Sequence, residues 1–216
     1  MPDQSVNPWM SIPEADYVGH MSSPAVGQRL ALNQILADAL RITKPNAVLV
    51  VGCSNGNGLE HIDPTITARV TGVDINPAYL QSLVDRFASP SFALDVRCAD
   101  LNVSEFERET YDLVHAALVF EYLRWRRLLP RLAAALKLQG VLTLVLQRPS
   151  ASTPAVSPTS FTSLGGLESL FHFVDPDAVA ETAGAEGLQL RERLTEPLPS
   201  GKAFEVLRFE KVIGVS

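Results

Sequence analysis

Short apolar runs alternate with longer amphipathic stretches along most of this chain. The runs are too short for helices and are rich in β-branched residues; they are Ala47 to Val51, Val70 to Val73, Phe92 to Val96, Tyr111 to Leu118 and Val141 to Leu146. Because they are continuously apolar rather than alternating, they predict strands buried on both faces, as in a parallel sheet.

Three residue pairs predict where helices begin: Ser23-Pro24, Asn76-Pro77 and Asp175-Pro176. Each pair places a capping side chain just before a proline, which is favoured at the first helical position. Apolar residues then recur at helical spacing. We expect the first of these helices to end at Lys44-Pro45-Asn46 and the third at Gly187.

Strand and helix alternate over about a hundred residues, which predicts a doubly wound α/β fold in a single domain. The chain end breaks this order, because Leu188 to Leu194 and Ala203 to Phe209 are separated only by Thr195 to Lys202. So short a connection predicts an antiparallel hairpin. Two segments stand apart: residues 1–44, whose first part is a candidate lid, and residues 149–165, a Ser- and Pro-rich stretch that we expect to be a surface loop.

Composition excludes several classes of protein. Apolar residues make up 46% of the 216 residues and charged residues 19%, which is typical of a globular domain. The net charge of −6 argues against sequence-independent nucleic-acid binding. Cys53 and Cys98 show no metal-binding spacing and are too few for a disulfide framework. With neither a signal-peptide pattern nor a membrane-length apolar run, we expect a cytoplasmic protein without a metal, a membrane or a nucleic acid as partner.

The turn after the first predicted strand is the strongest chemical signal. It reads Gly52-Cys53-Ser54-Asn55-Gly56-Asn57-Gly58. Glycines allow a sharp turn and close approach of a ligand, and a short helix behind the turn would offer free N–H groups. No Gly-Lys-Ser/Thr follows, which excludes a P-loop, and the spacing differs from the dinucleotide fingerprint Gly-x-Gly-x-x-Gly.

Two aspartates follow the next two predicted strands. Asp74 lies 22 residues after Gly52, where doubly wound nucleotide-binding folds place the acid that accepts the ribose hydroxyls. Asp100 ends the third predicted strand, where a polar side chain can reach an adenine edge. A plain turn and two helix-capping acids would be the alternative, but the three features together favour an adenosine site.

With these residues in view, the chain resembles the class I (Rossmann-like) S-adenosylmethionine-dependent methyltransferases. The likeness covers roughly Ala47 to Leu146 and includes Val-Asp-Ile-Asn-Pro at Asp74, Ala-Asp-Leu at Asp100 and Tyr-Asp-Leu-Val in the fourth strand. It implies a mostly parallel seven-stranded sheet with helices on both faces, in three α/β/α layers. It also implies S-adenosylmethionine as cofactor, with S-adenosylhomocysteine as product.

The resemblance also assigns a cofactor site. Residues 52–58 would face the methionine part, Asp74 the ribose and Asp100 the adenine. The expected cofactor residues are Gly52, Cys53, Ser54, Asn55, Gly56, Gly58, Asp74, Ile75, Asp100, Leu101 and Ala117. Two departures stand out: Val50 replaces an acid that often helps hold the methionine amino group, and Ser54 replaces the middle glycine.

Three residues are candidates for catalysis: Glu121, His20 and Tyr17. Glu121 follows the fourth strand, where it is either a base or acceptor-positioning group, or an exposed residue opening the next helix. Tyr17 and His20 lie in the stretch Ile12 to Met21, which either closes over the methionine end or is a frayed lead-in. His115, inside the fourth strand, is better explained as a core residue.

The functional prediction is methyl transfer to an unidentified, small-molecule acceptor. One alternative is a catalytically silent protein that binds S-adenosylmethionine or S-adenosylhomocysteine as a sensor or scaffold. Others are a nicotinamide-dependent oxidoreductase, disfavoured by the glycine spacing, and an aminopropyl transferase. The sequence does not indicate the oligomeric state.

Overall fold

A computed structural model of the chain describes residues 7–150 and 154–213. Residues 1–6 of the candidate lid and residues 151–153 of the predicted loop lie outside the described part. The α-helices are α1 (Glu14–Ser22), α2 (Gln28–Thr43), α3 (Pro77–Arg86), α4 (Trp125–Ala135) and α5 (Pro176–Ala185). The strands are β1 (Ala47–Val51), β2 (Arg69–Asp74), β3 (Ala93–Cys98), β4 (Tyr111–Ala117), β5 (Leu136–Gln147), β6 (Leu188–Pro197) and β7 (Ala203–Lys211).

The seven strands form one sheet in the order β3-β2-β1-β4-β5-β7-β6. Strands β1 to β5 pair in parallel, whereas β7 runs antiparallel to both β5 and β6. The doubly wound sheet and its terminal hairpin are therefore confirmed. Strand β3 corrects one expectation: it lies at the sheet edge and is partly exposed, because β2 is the only one of the described strands that pairs with it.

Strand β1 shows how the core divides into two layers around the sheet. Val48 and Val50 pack in the cluster that contains apolar residues of α2 and α3. Leu49 and Val51 point the other way, into the cluster built from α4 and α5. This alternation buries both faces of β1 and accounts for its continuously apolar sequence.

Two of the three predicted helix caps are confirmed. Asn76 accepts hydrogen bonds from the backbone N–H groups of Ala78 and Tyr79, and Asp175 accepts one from Asp177. The third prediction is wrong, because Ser23 follows the C-terminus of α1 and donates from its hydroxyl to the His20 carbonyl. Helix α2 begins at Gln28, since Gly27 adopts a left-handed conformation that reverses the chain between the two helices.

The short helix expected after the glycine turn is a single 3₁₀ turn, Leu59–His61. One further expectation is corrected. The predicted surface loop is partly buried: Ser157 is 7% exposed, and a 3₁₀ helix, Thr162–Leu167, follows. The loop is drawn inward because Val156 and Leu164 pack against aromatic residues near the chain start.

Within residues 7–150 and 154–213, no helix combines the length and apolar character needed to cross a membrane.

The tight pairing of β4 with β5 predicts that Gly140→Ala will destabilise the protein. A Cβ at Gly140 would lie 2.9 Å from the Lys137 carbonyl oxygen and 3.0 Å from that of Tyr111. We expect a loss of about 1–3 kcal/mol in the free energy of unfolding, measured in urea. The matched control is Gly184→Ala in α5, where nothing lies within 4 Å and helix propensity should add roughly 0.5–1 kcal/mol. Equal stability of the two variants would contradict this account of the β4–β5 pairing.

Candidate active site

A cavity of about 120 Å³ lies at the carboxyl ends of the parallel strands. This is the place where open α/β sheets bind ligands, because β1 and β4 are neighbours whose connections leave in opposite directions. Seven of the predicted cofactor residues line it: Gly52, Ser54, Asp74, Ile75, Asp100, Leu101 and Ala117. The structure thus brings the glycine turn and both aspartates to one cavity.

The other four predicted cofactor residues do not line the cavity. Cys53 is buried, and its sulfur would lie 3.0 Å from a Cβ at Gly72. Gly56 and Gly58 have φ angles of +76° and +94° and pack closely on α3 and α2 side chains. Asn55 donates from its amide to the Glu14 carboxylate. These residues shape the turn and dock α1 on it.

Asp74, the last residue of β2, joins the glycine turn to the start of α3. One carboxylate oxygen accepts from the Ser54 N–H at 2.9 Å and the other from the Asn76 N–H at 2.9 Å. Each carboxylate oxygen can accept a second hydrogen bond, which leaves capacity for a ribose hydroxyl. Ser54 has a φ of +47°, a conformation that glycine adopts more easily, which explains why the resembling family has glycine here.

Asp100 lies two residues beyond the end of β3, so it follows the strand instead of ending it. Its Oδ1 accepts from the backbone N–H and the side-chain amide of Asn102, at 2.8 and 3.1 Å. Within the described part of the chain, its Oδ2 has no hydrogen-bond partner. That oxygen can accept a hydrogen bond from a ligand in the cavity, such as an adenine amino group.

Two segments close over the cavity, and we call them together the cover: residues 8–22 and residues 154–171. An aromatic chain connects them, in which Trp9 contacts Tyr122 edge-on at 5.0 Å and Tyr122 contacts Phe171 at 5.5 Å. Asp16 accepts a hydrogen bond from the Ser163 hydroxyl, at 2.6 Å. Helix α1 is therefore an ordered part of this site, and the expectation of a frayed lead-in is wrong for its described residues.

Gly19 of α1 packs tightly against the second segment of the cover. A Cβ at this position would overlap the ring of Phe161. Glycine is required here because α1 and the second segment of the cover approach each other so closely.

Tyr17 and His20 both line the cavity. The Tyr17 ring stacks on Tyr79 at 5.3 Å, and burial together with nearby Asp74 raises the pKa of Tyr17 to about 12. His20 Nδ1 lies 3.0 Å from the Thr159 hydroxyl. Burial, with a smaller effect of Lys202, lowers the pKa of His20 below its ordinary value, so its imidazole is neutral at pH 7.

Glu121 does not line the cavity and is fully buried behind it. The alternative of an exposed, helix-opening residue is therefore wrong. One carboxylate oxygen accepts from the Gln147 N–H at 2.7 Å, and the other has no partner among the described residues. Burial raises the pKa of Glu121 to about 7, opposed by that hydrogen bond.

His115 is buried inside β4, as expected of a core residue. Burial, with a smaller effect of Arg208, lowers its pKa to about 4, so it is neutral at physiological pH. Its Nδ1 has no hydrogen-bond partner in the part of the chain described. No group of three or more His, Cys, Asp or Glu side chains in that part could hold a metal ion.

Several residues of the site were not anticipated from the sequence. Gln147 is the last residue of β5. Its position could have been predicted as part of the site, as for Asp74, because ligands bind at the carboxyl ends of the strands in this type of sheet. Gln28 had no such signal, because it reaches the cavity only through the packing of α2 on the sheet. The same holds for the apolar lining from the cover, which includes Trp9, Leu164, Leu167 and Phe171.

Comparison with known proteins agrees with this geometry. A family model described as a methyltransferase domain matches residues 48–140, which contain the glycine turn and both aspartates. Residues 48–140 therefore resemble a methyltransferase domain in sequence, and the chain has the Rossmann-like methyltransferase fold. A search of curated proteins finds no match.

Several solved structures share this fold. A Galdieria sulphuraria protein described as a sarcosine dimethylglycine methyltransferase has a TM-score of 0.66 and 12% identity, covering 86% of each chain. An S-adenosylmethionine-dependent methyltransferase from Mesorhizobium loti has a TM-score of 0.61 and 16% identity, covering 80% of this chain and 96% of its own. The [4+2]-cyclase SpnF has a TM-score of 0.64 and 12% identity, covering 94% and 98%.

The buried Glu121 predicts a pH-dependent stability. Its pKa rises from an ordinary 4.5 to about 7 on folding, so the folded protein holds the proton more tightly than the unfolded chain. The resulting stability is complete below about pH 4.5 and is lost as the pH rises through about 7. Glu121→Gln keeps an acceptor for the Gln147 N–H but does not titrate.

Between pH 5 and pH 8, the wild type should therefore lose about 1–3 kcal/mol of unfolding free energy relative to Glu121→Gln. Urea unfolding at both pH values measures the difference. Glu181→Gln, on the exposed face of α5, controls for the removal of one carboxyl group. A constant difference between wild type and Glu121→Gln across this range would show that Glu121 ionises normally.

Proposed function

We propose that this protein transfers a methyl group from S-adenosylmethionine to a small molecule. The observation that supports this best is the convergence of Gly52, Asp74 and Asp100 on one cavity inside a methyltransferase domain. The cover closes over that cavity, which favours a small acceptor over a polymer. The net charge of −6 argues against a nucleic-acid acceptor. Cys53 and Cys98 are both free thiols, which fits a protein of the reducing cytoplasm.

The residues present fit the cofactor. Asp74 and Asp100 retain acceptor capacity on the cavity side, suited to ribose hydroxyls and an adenine amino group. Gly52, with a φ of +68°, brings backbone to the cavity wall at a point where any side chain would overlap Val119. Bound S-adenosylmethionine would supply a methyl group attached to a positively charged sulfur. The acceptor would attack the methyl carbon in line with the carbon–sulfur bond, and the sulfur would leave in S-adenosylhomocysteine.

The catalytic task of the protein is mainly alignment, because the methyl group is already activated. Where the acceptor loses a proton, His20 is the candidate base: it lines the cavity and is neutral at pH 7. Tyr17, protonated throughout the physiological range, is placed to donate a hydrogen bond. We assign Glu121 a positioning role through the Gln147 backbone, since its carboxylate does not reach the cavity wall.

Catalysis is tested by product formation, because a silent binder would also take up the cofactor. No observation in the structure favours that alternative. This chain shares its fold with a protein described as a [4+2]-cyclase, so the reaction has to be measured directly.

Asp74→Asn should weaken binding of S-adenosylhomocysteine by roughly tenfold or more. Hydrogen bonds to a charged group contribute about 1.5–3 kcal/mol, and the amide offers only one acceptor oxygen. Isothermal calorimetry on the folded variant measures the loss.

Asp112→Asn is the matched control for Asp74→Asn. Asp112 accepts from the Ala47 N–H at 2.8 Å and pairs with Lys137, at the amino ends of β1 and β4, away from the cavity. Its substitution should leave affinity unchanged. Unaltered affinity in Asp74→Asn, or binding of NADH in place of S-adenosylhomocysteine, would contradict the proposed site.

Gly19→Ala should separate the two segments of the cover. The added methyl group would displace Phe161, so amide hydrogens of residues 14–22 and 159–167 should exchange faster than in wild type. S-adenosylhomocysteine should dissociate faster and should restore part of the protection when saturating. Gly165→Ala is the control, because nothing lies within 4 Å of a Cβ there. The same exchange rates in Gly19→Ala and wild type would show that the cover does not gate the cavity.

A further inference from the structure

Charge is unevenly distributed over the cavity wall. Asp74 and Asp100 are the acidic residues among its described lining, and both belong to the proposed cofactor half. The rest of the described lining, from α1, α2, the ends of β4 and β5 and residues 154–171, contains no Lys, Arg, Asp or Glu. An ionised group bound there would lose its hydration without gaining a charged partner.

The ionisable groups next to this half of the cavity are engaged or neutral. Lys202 is buried and donates from Nζ to the Ala155 carbonyl at 2.8 Å. Glu121 accepts the Gln147 N–H, and burial raises its pKa. His20 is neutral at pH 7, as described above. Burial lowers the pKa of Lys202 to about 8, so it stays protonated at pH 7, but neither Lys202 nor Glu121 lines the cavity.

Aromatic side chains of the cover and of the segment after β4 form part of the cavity wall. Trp9, Tyr122 and Phe171 follow one another in edge-to-face contacts of 5.0 and 5.5 Å. Leu164 and Leu167, each at most 3% exposed, complete the surface. Flat rings bind well against such a wall, because aromatic contacts contribute roughly 0.5–1.5 kcal/mol each beyond burial of area.

Two buried glutamine side chains place amide groups in this half of the cavity. Gln28 donates from Nε2 to Gln147 Oε1 at 3.2 Å, and Gln147 donates from its own Nε2 to the Ala155 carbonyl at 2.8 Å. Both glutamines line the cavity. The Gln28 carbonyl oxygen has no hydrogen-bond partner among the described residues, so it can accept a hydrogen bond from a ligand.

We propose that the methyl acceptor is an uncharged, aromatic molecule whose hydroxyl or N–H group donates to Gln28. This proposal rests on the proposed methyl transfer and names its substrate class. The ring would lie against the aromatic wall of the cover, and the donor group would approach the Gln28–Gln147 pair at the ends of α2 and β5. Acceptors with a carboxylate or an ammonium group are rejected by desolvation.

The test uses four one-ring probes of nearly equal size at pH 7: 4-methylphenol, 4-methylbenzoate, 4-methylbenzylamine and p-xylene. Each is titrated by NMR into full-length protein saturated with S-adenosylhomocysteine, with the Trp9 indole as reporter. 4-Methylphenol should bind, and the anionic and cationic probes should bind at least about tenfold more weakly. p-Xylene, which lacks the donor, should bind more weakly than 4-methylphenol.

The substitution Gln28→Met removes the side-chain amide and keeps a side chain of similar length, so it tests the contribution of the amide alone. It should lower the affinity for 4-methylphenol to that for p-xylene, while the affinity for S-adenosylhomocysteine stays at the wild-type value. Equal or tighter binding of a charged probe, no binding of 4-methylphenol, or full 4-methylphenol affinity in Gln28→Met would overturn the proposal. Saturation with S-adenosylhomocysteine is measured first, so a failure of the proposed function is seen separately from a failure of this selectivity.

Discussion

The buried carboxylate of Asp74 is the interaction on which the site depends. It holds the Ser54 N–H in a left-handed turn and the Asn76 N–H at the start of α3. Asn76 in turn donates to the carbonyls of Trp9 and Ile12, at 2.8 and 3.2 Å. Asp74 therefore links the glycine turn to the helix that follows β2 and, through Asn76, to the first segment of the cover. Its carboxylate also retains capacity for a ligand.

Burial shifts the pKa values of several ionisable groups that line the cavity or lie next to it. Desolvation raises the pKa values of Glu121 and Tyr17 and lowers those of His20 and Lys202, so each shift favours the uncharged form. The polar groups that remain are amides, hydroxyls and one neutral imidazole. Among the described residues that line the cavity, Asp74 and Asp100 are the only ones of the types Asp, Glu, Lys and Arg.

The fold leaves the reaction open, since structures with similar TM-scores include methyltransferases and a cyclase. The cover and the ends of α2 and β5 supply part of the cavity wall. The close packing of Gly19 on Phe161, and the contact of Asp16 with Ser163, join two segments that are far apart in sequence.

The sequence by itself determined the sheet, its terminal hairpin and the position of Asp74, because apolar runs, prolines and glycines act locally. It also indicated two helix caps, but it misplaced the start of α2, where Gly27 and not Ser23 reverses the chain. Only the tertiary structure decided that Glu121 lies behind the cavity, that Gln28 and Gln147 meet in it and that residues 154–171 are partly buried. These outcomes depend on packing between segments that are not neighbours in the chain, 26 residues apart for Glu121 and Gln147 and 119 for Gln28 and Gln147, and no local pattern records such contacts.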